Sequence, residues 1–232
     1  MKYTNIVEGR FVERPNRFIA YVEIDGKTEI CHVKNTGRCK ELLIPGCRVF
    51  LQVADNPNRK TKYDLIGVMK GDLMINMDSQ VPNKVVEEWL KKSQVLFKNP
   101  VIRSEKKFGN SRFDFYVEDG DRKAFIEVKG VTLEMDGIAS FPDAPTERGI
   151  KHLKELQSCL EQGYEAYVFF VIQMKGITKM RPNWERHQAF GEALTEASIA
   201  GVNVLAYDCI ITEDSIQLDQ PVKVELNEWR FK

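Results

Sequence analysis

The fold is decided by residues 111–133, which read SRFDFYVEDGDRKAFIEVKGVTL. Polar and apolar residues alternate on either side of a turn, EDGD at 118–121, as they do in two strands of a β-hairpin. Alternation places Asp114 on one face of the first strand and Phe113, Phe115 and Val117 on the other. The stretch therefore predicts a hairpin that carries charged groups among aromatic side chains.

Glu127 and Lys129 lie two residues apart on the second strand of this hairpin, so they share a face and lie next to Asp114. Charges on such apolar strands need compensation. Two adjacent carboxylates provide the hard oxygen ligands that Mg²⁺ or Mn²⁺ prefers, with the Val128 backbone carbonyl as a further ligand. Lys129 would position the attacking water or stabilise transition-state charge. The pattern predicts a catalytic centre of Asp114, Glu127 and Lys129, with metal bound by Asp114, Glu127 and Val128.

The same spacing also fits a simpler interpretation. Asp114 and Glu127 would then be solvent-facing charges on an edge hairpin, and Glu127–Lys129 would be an exposed ion pair. Spacing alone does not separate the two interpretations.

The first 80 residues contain short strand-like segments separated by turns rich in Gly, Pro, Asn and Asp. The predicted strands are 6–12, 17–24, 28–32, 48–54, 63–70 and 73–76. Five or six short strands in this length favour a small β-barrel of the OB kind, with another small barrel as the alternative.

From residue 81 the pattern is typical of an α/β domain with a mixed sheet. A helix is predicted from Pro82-Asn83, with Asn83 as its N-cap, and further helices at 146–162 and about 185–200. Strands at 167–172 and 202–211 complete the pattern. We therefore predict two domains, a barrel at 1–80 and an α/β domain at 81–232.

Composition limits the classes of function. Thirty-four basic and 34 acidic residues give zero net charge, so binding to nucleic acid has to depend on local clusters. Five cysteines, an odd number, favour reduced thiols, and no signal peptide or membrane span is recognisable. We expect a cytoplasmic protein. A homo-oligomer is compatible with the sequence, which carries no signal for or against one.

Several segments resemble one known family. They are NTG at 35–37, DNPNRK at 55–60, PNKVVEEWL at 82–90, GNSRFDF at 109–115, EVKGVTL at 127–133, FPDAPTERGIKHL at 141–153 and the segment 201–218. With them the chain resembles the sugar fermentation stimulation protein family (SfsA) over nearly its whole length. Asp114 and Glu127-Val128-Lys129 resemble the PD-(D/E)XK nuclease motif. The chain departs from the family at Val33-Lys34, Arg38 and Gly130, where Cys-Pro, Ser or Thr, and Asn are usual.

The resemblance implies an OB-like domain followed by a restriction-endonuclease-like domain, with DNA as the partner. Nucleases of this kind often take a further carboxylate from the preceding helix, which here means Glu87 or Glu88 as an additional metal ligand. Both glutamates also fit exposed ion pairs, since each lies four residues before a lysine.

Nucleic-acid contacts are predicted from three groups of basic residues. Two barrel loops, one strand and the helix at 146–162 place these residues at spacings suited to a phosphate backbone. They are Lys34, Arg38, Lys40, Arg59, Lys60, Lys62, Arg103, Lys107, Arg148, Lys151 and His152. Ordinary solvated loops and a solvated helix face are the alternatives. His152 is also a candidate proton-transfer group.

The function that these features favour is divalent-metal-dependent cleavage of DNA phosphodiesters, without strong sequence specificity because no module that reads base edges is recognisable. The alternative is a DNA-binding or regulatory protein whose nuclease fold is idle. A third hypothesis, an enzyme for a small phosphorylated metabolite, requires a pocket too narrow for a duplex.

Overall fold

The computed structural model describes residues 1–35, 37–56 and 58–226. Thr36 of the NTG motif, Pro57 of the predicted Asn-Pro turn and residues 227–232 lie outside the described residues. The strands and helices, in chain order, are β1 (Ile6–Glu13), β2 (Ile19–Ile24), β3 (Lys27–Val33), β4 (Arg48–Val53), β5 (Tyr63–Lys70), β6 (Leu73–Asn76), α1 (Val81–Ser93), β7 (Val101–Phe108), β8 (Ser111–Asp119), β9 (Arg122–Val131), β10 (Leu133–Met135), β11 (Ile138–Phe141), α2 (Glu147–Glu161), β12 (Glu165–Ile172), β13 (Lys179–Pro182), α3 (Gln188–Ile199), β14 (Asn203–Thr212), β15 (Ser215–Pro221) and β16 (Lys223–Val224).

The amino-terminal strands form a closed five-stranded barrel, which confirms the predicted small barrel of OB type. The sheet runs β3-β2-β1-β4-β5-β6, and a parallel pairing of β3 with β5 closes it. Asp25 and Gly26 form the two-residue β2–β3 turn, and both have the positive φ that such a hairpin loop requires. Alternate residues of β2, including Ala20 and Val22, fill the barrel interior.

The carboxy-terminal half is a mixed six-stranded sheet in the order β15-β14-β12-β9-β8-β7, which confirms the predicted α/β class. The inner strands β9, β12 and β14 are parallel to one another, and β8 is antiparallel to β9. β12 is apolar along nearly its whole length, as expected for a strand covered on both faces. This arrangement places Glu127 on an inner strand of the sheet.

Helices cover both faces of this sheet. Val85, Val86 and Leu90 of α1 pack in one apolar cluster with Ile126 and Phe169. Residues of α2 and α3 pack in the other cluster, which continues into the barrel interior. No helix among the described residues is long and apolar enough to cross a membrane.

Two predicted helix starts are corrected. α1 begins at Val81 with Gln80 at the N-cap, so Asn83 is not the cap. Asn83 lies in the first turn and its amide faces the sheet instead. α3 begins at Gln188 rather than near 185. At α2 the prediction is confirmed, because the Thr146 side chain caps the helix by accepting from the Gly149 amide at 3.0 Å.

A second sheet was not predicted. It has four strands in the order β10-β11-β13-β16, each of only two to four residues. Strands of this length carry too few residues to show an alternation pattern.

Buried polar groups join the barrel to the large sheet. The Gln173 side-chain amide lies 3.1 Å from the carbonyls of Asn76 and Asp78 and 3.0 Å from Asn76 Oδ1. The Asn76 amide donates to the Gln173 carbonyl at 2.9 Å. Ser79 donates from its amide and its hydroxyl to the Lys34 carbonyl. The division near residue 80 remains a prediction, and the Gln173 side-chain contacts across it are hydrogen-bonded and buried.

Candidate active site

Asp114, Glu127 and Lys129 line one cavity of about 460 Å³ on the large sheet, together with Ser79, Gln80, Asn83, Val128 and Arg148. Glu127 is only 3% exposed and lies on the inner strand β9. The interpretation of these residues as solvated charges on an edge hairpin is therefore wrong. Lys129 does contact Glu127, but that ion pair is largely buried.

Asp114 is held by two donors from different elements. Its Oδ2 accepts the Val128 amide at 2.7 Å, and its Oδ1 accepts the Asn83 side-chain amide of α1 at 2.8 Å. Burial, followed by the negative charge of Glu127, raises the pKa of Asp114 above its ordinary value. Burial and the charge of Glu127 thus disfavour the ionised form of Asp114, and the nearby charge of Lys129 offsets this only in part.

Glu127 is held from the opposite face of the sheet. Its Oε1 accepts hydrogen bonds from Lys129 Nζ and from His152 Nδ1 of α2. Burial alone would raise the pKa of Glu127, but these two bonds outweigh it and hold the pKa below its ordinary value. Its Oε2 is buried and makes no hydrogen bond within the described residues. An ionised carboxylate thus keeps one oxygen without a donor.

The contacts of His152 fix its tautomer. A carboxylate only accepts, so Nδ1 must carry the proton that bonds to Glu127. Arg148 only donates, and its Nε lies 3.4 Å from His152 Nε2, which must therefore be the acceptor. The imidazole links the cavity-lining Arg148 to Glu127.

This position corrects the prediction that His152 contacts nucleic acid. The side chain is 4% exposed and packs edge-on against Phe113, so it does not reach the solvent face of α2. The missed signal lies in the spacing of Gly149, His152, Leu153 and Leu156, which are all buried. They follow the i, i+3, i+4, i+7 pattern of a core-facing helix stripe.

The proposed carboxylates of α1 are also placed elsewhere. Glu87 pairs with Lys91 at 2.6 Å on the exposed side of the helix. Glu88 pairs with the Met1 amino group at 2.8 Å. Neither lines the cavity, and the α1 side chain that reaches Asp114 is the amide of Asn83. Sequence reasoning missed this role because nothing in the local pattern distinguishes Asn83 from a capping residue.

The predicted alternation of β8 is interrupted at Asp114. Phe115 and Val117 pack in the α1-side cluster, whereas Phe113 packs in the cluster that contains α2 and α3. Backbone pairing of β8 with β9 begins at Phe115, opposite Ile126. At Asp114, which precedes Phe115, the side chain accepts a hydrogen bond from the Val128 amide instead. β8 and β9 therefore do not form a regular ladder at this position.

Apart from His152, the predicted nucleic-acid residues separate into three groups. Several are held by other parts of the chain: Lys34 pairs with Asp78 at 2.9 Å, Arg59 with Asp64 at 2.6 Å and Arg103 with Glu118 at 3.0 Å, and Lys151 donates to the Asn110 carbonyl at 3.0 Å. Arg148 lines the cavity. Exposed side chains remain at Arg38, Lys40, Lys60, Lys62 and Lys107.

The donor set is small. Among the described residues, no three His, Cys, Asp or Glu side chains form a metal-binding group. Two carboxylates, those of Asp114 and Glu127, line the cavity, and Val128 lines it beside them. This set suits Mg²⁺ or Mn²⁺, which retain several waters, better than a closed structural site.

Both halves of the chain match models of one protein family. The model for the SfsA N-terminal OB domain matches residues 12–77, and the model for the sugar fermentation stimulation protein RE domain matches residues 80–215. The chain belongs to the sugar fermentation stimulation protein family. A homologue of this family from Clostridium beijerinckii is 62% identical over 226 residues, covering 97% of this chain and all of that protein. One from Desulfitobacterium hafniense is 64% identical over 228 residues, covering 98% of this chain and all of that protein.

A solved family structure has the same architecture. Pyrococcus furiosus SfsA in complex with Ca²⁺ is similar with a TM-score of 0.87 and 28% identity. The similarity covers 97% of this chain and 98% of the other. The predicted membership of the SfsA family is confirmed.

Proposed function

We propose that this SfsA-family protein is a divalent-metal-dependent phosphodiesterase acting on DNA. One observation carries the proposal: Glu127 is a buried, ionised carboxylate whose Oε2 has no donor among the described residues. Buried charges in proteins are paired or bind metal. Asp114 lies beside it with a raised pKa, which also favours a cation between the two.

The charges that line the cavity support a metal requirement. Asp114 and Glu127 contribute two negative charges, and Lys129 and Arg148 contribute two positive charges. A phosphodiester in the same cavity would leave the site negative. A divalent cation would more than offset that single negative charge, and Mg²⁺ or Mn²⁺ fits the oxygen donors of Asp114, Glu127 and Val128. The Ca²⁺ named for the Pyrococcus furiosus protein is also a hard, oxygen-preferring cation.

Each side chain has a distinct part in the proposed reaction. Asp114 and Glu127 would hold the metal, which when bound polarises the phosphate and lowers the pKa of a bound water. Asn83 and His152 orient the two carboxylates from opposite faces of the sheet. Lys129 Nζ, which bonds Glu127 Oε1, would donate to the attacking water or to phosphate oxygens. Arg148 would contact the phosphate backbone at the rim.

The barrel would increase the affinity for DNA. Arg38, Lys40, Lys60 and Lys62 are exposed on its loops, so their charges are available to phosphates. Such contacts carry no sequence information, which favours binding without strong sequence specificity.

Cleavage assays test the proposal. Single-stranded, duplex, nicked and flapped DNA and RNA would be incubated with Mg²⁺ or Mn²⁺ and wild-type, Asp114→Asn, Lys129→Met or Lys123→Met protein. Lys123 lies on the same strand as Lys129 but is exposed and outside the cavity, so Lys123→Met is the matched control. We expect cleavage by wild type and Lys123→Met, and losses of at least about 100-fold in the other two variants.

Cleavage that survives both Asp114→Asn and Lys129→Met would refute the assignment. No cleavage of any substrate, combined with salt-sensitive DNA binding by all four proteins, would identify a DNA-binding protein with an idle site.

A further inference from the structure

We propose that a second cavity, between the barrel and the α/β half of the chain, receives the base of one nucleotide of a single DNA strand while the adjoining phosphate lies at Asp114 and Glu127. This inference rests on the proposed phosphodiesterase function and specifies its substrate as single-stranded nucleic acid. It depends on the size, polarity and connections of the cavity.

The cavity has a volume of about 180 Å³ and polar walls. The barrel side contributes Asn35, and the segment leading to α1 contributes Ser79. The α/β half contributes Ser140 of β11 and the loop residues Thr132, Asp143 and Gln173. Amides, hydroxyls and a carboxylate are groups that hydrogen-bond bases and sugars.

Gln173 presents an acceptor to this cavity. Three acceptors, from Asn76 and Asp78, surround one end of its side-chain amide, so that end must be the NH₂ group. The carbonyl end, Oε1, therefore points the other way, towards Gly130. Within residues 1–35, 37–56 and 58–226, no donor bonds to Oε1. Gln173 is only 1% exposed, so its orientation is fixed by buried contacts and its free oxygen is available to a ligand.

Two glycines keep the walls open. A Cβ on Gly130 would lie 2.5 Å from Gln173 Oε1 and 2.8 Å from Pro82 Cγ. A Cβ on Gly37 would lie 2.3 Å from Asp143 Oδ2. Any side chain at these positions would displace the groups that line the cavity.

The cavity connects the candidate active site to a basic groove on the barrel. Ser79 lines both this cavity and the active-site cavity, and on β9 Lys129 lines the latter while Gly130 lines the former. Gly37 lines both this cavity and a groove of about 610 Å³ that is bordered by Arg17, Arg38 and Lys40. A strand bound in the groove would thus continue through the cavity to Asp114 and Glu127.

One side chain shapes this route. The Arg14 guanidinium donates to the carbonyls of Arg17, Asn35, Gly37 and Arg38, at distances of 2.6 to 2.9 Å. It therefore fixes the barrel loop between the cavity and the groove. The exposed cations of the groove remain free to contact phosphates.

Size selects the substrate. At about 30 Å³ per water molecule, 180 Å³ corresponds to roughly six waters. Drug-sized ligands occupy pockets of about 300 Å³ or more. The cavity therefore suits one unpaired base, with its sugar at the mouth, and excludes a base pair. A base inside a duplex would have to leave the stack to enter it, whereas a single strand has no such cost.

The test compares fluorescence anisotropy of a labelled 12-nucleotide single strand and the blunt duplex of the same sequence, in Ca²⁺ buffer. The variant is Ser140→Leu, which fills the cavity, and the control is Ser158→Leu, the same change on half-buried α2 surface outside it. Mn²⁺ affinity, measured by calorimetry, reports the carboxylate site independently.

We expect wild type to bind the single strand about tenfold more tightly than the duplex or better. Ser140→Leu should weaken single-strand binding about tenfold while Mn²⁺ affinity stays within about twofold, and Ser158→Leu should change neither. If Ser140→Leu fails to fold, Thr132→Val, which removes only a hydroxyl, should still weaken single-strand binding several-fold.

Equal affinity for single strand and duplex, or a folded Ser140→Leu protein with unchanged single-strand binding, would overturn the nucleotide cavity. Mn²⁺ binding and Asp114-dependent cleavage would in that case still stand. Absence of Mn²⁺ binding by wild type would instead remove the proposed function and this inference with it.

Discussion

Asp114 is expected to reduce the stability of the metal-free protein, because burial and the neighbouring carboxylate of Glu127 disfavour its ionised form. Burial and the charge of Glu127 raise the pKa of Asp114 in the folded state. A carboxyl group with a raised folded-state pKa lowers the free energy of unfolding at pH values above that pKa. Removing the charge while keeping the shape should therefore stabilise the protein.

Asp114→Asn makes this change. The new carbonyl can accept the Val128 amide, and the new NH₂ can bond Asn83 once the Asn83 amide turns over. We expect the free energy of unfolding without metal to rise by about 1 kcal/mol. For a chain of this size, that corresponds to an increase in Tm of about 2–4 °C.

Mn²⁺ should reverse the order of stability of the wild type and Asp114→Asn. At a Mn²⁺ concentration 100-fold above its Kd, metal binding raises the free energy of unfolding of the wild type by about 2.7 kcal/mol. For a variant that binds Mn²⁺ about 100-fold more weakly, the free energy of unfolding rises by only about 0.4 kcal/mol under the same conditions. The wild type should then be the more stable protein by about 1.3 kcal/mol.

Urea denaturation followed by circular dichroism, with and without Mn²⁺, measures both differences. Asp121→Asn is the control, because Asp121 is exposed in the β8–β9 turn and should behave like the wild type in both conditions. An Asp114→Asn protein that is less stable than wild type without metal, or equally stabilised by Mn²⁺, would refute this reasoning.

Three further predictions concern other contacts. His152→Ala should weaken Mn²⁺ binding about 10- to 100-fold in calorimetry, because the carboxylate of Glu127 loses its orienting donor; His152→Gln should lose less, and equal losses would argue for a packing role only. Burial would raise the pKa of Asp64, but hydrogen bonds from Arg59 and His32 hold it below its ordinary value. Asp64→Asn should therefore cost about 2 kcal/mol at neutral pH. That difference should shrink as the pH falls below about 4, the pKa of an unfolded aspartate, and a pH-independent difference in urea titrations would contradict it. Arg14→Met should speed amide hydrogen exchange at residues 35, 37 and 38 by roughly tenfold or more, since a charged donor is lost from four carbonyls; unchanged exchange would show that the loop is held by other contacts.

Local patterns predicted much of the fold. The strands at 63–70 and 73–76 have the predicted ends, because the Gly71-Asp72 turn separates them. Alternation on β9 correctly placed Glu127 and Lys129 together, since that strand is regular throughout its pairing with β12. These features depend only on neighbours in sequence, which is why they are readable there.

The contacts that orient the carboxylates were harder to predict from the sequence. Asn83 and His152 reach Asp114 and Glu127 through packing of two helices on opposite faces of the sheet. A sequence gives the apolar stripe of a helix but not the side chain at the edge of that stripe that meets a charge. The interruption of alternation at Asp114 likewise results from a side chain that replaces a ladder hydrogen bond, a contact distant in sequence.

The hydrogen bonds that Gln173 makes with Asn76 and Asp78 have a consequence for folding. These groups are buried, so separating the barrel from the sheet without hydrating them would leave amides and carbonyls unsatisfied at a cost of about 1–3 kcal/mol each. The same apolar cluster also runs through both halves. The chain should therefore unfold as one cooperative unit, with a single calorimetric transition and with amides of β5 and β12 exchanging at the same global limit.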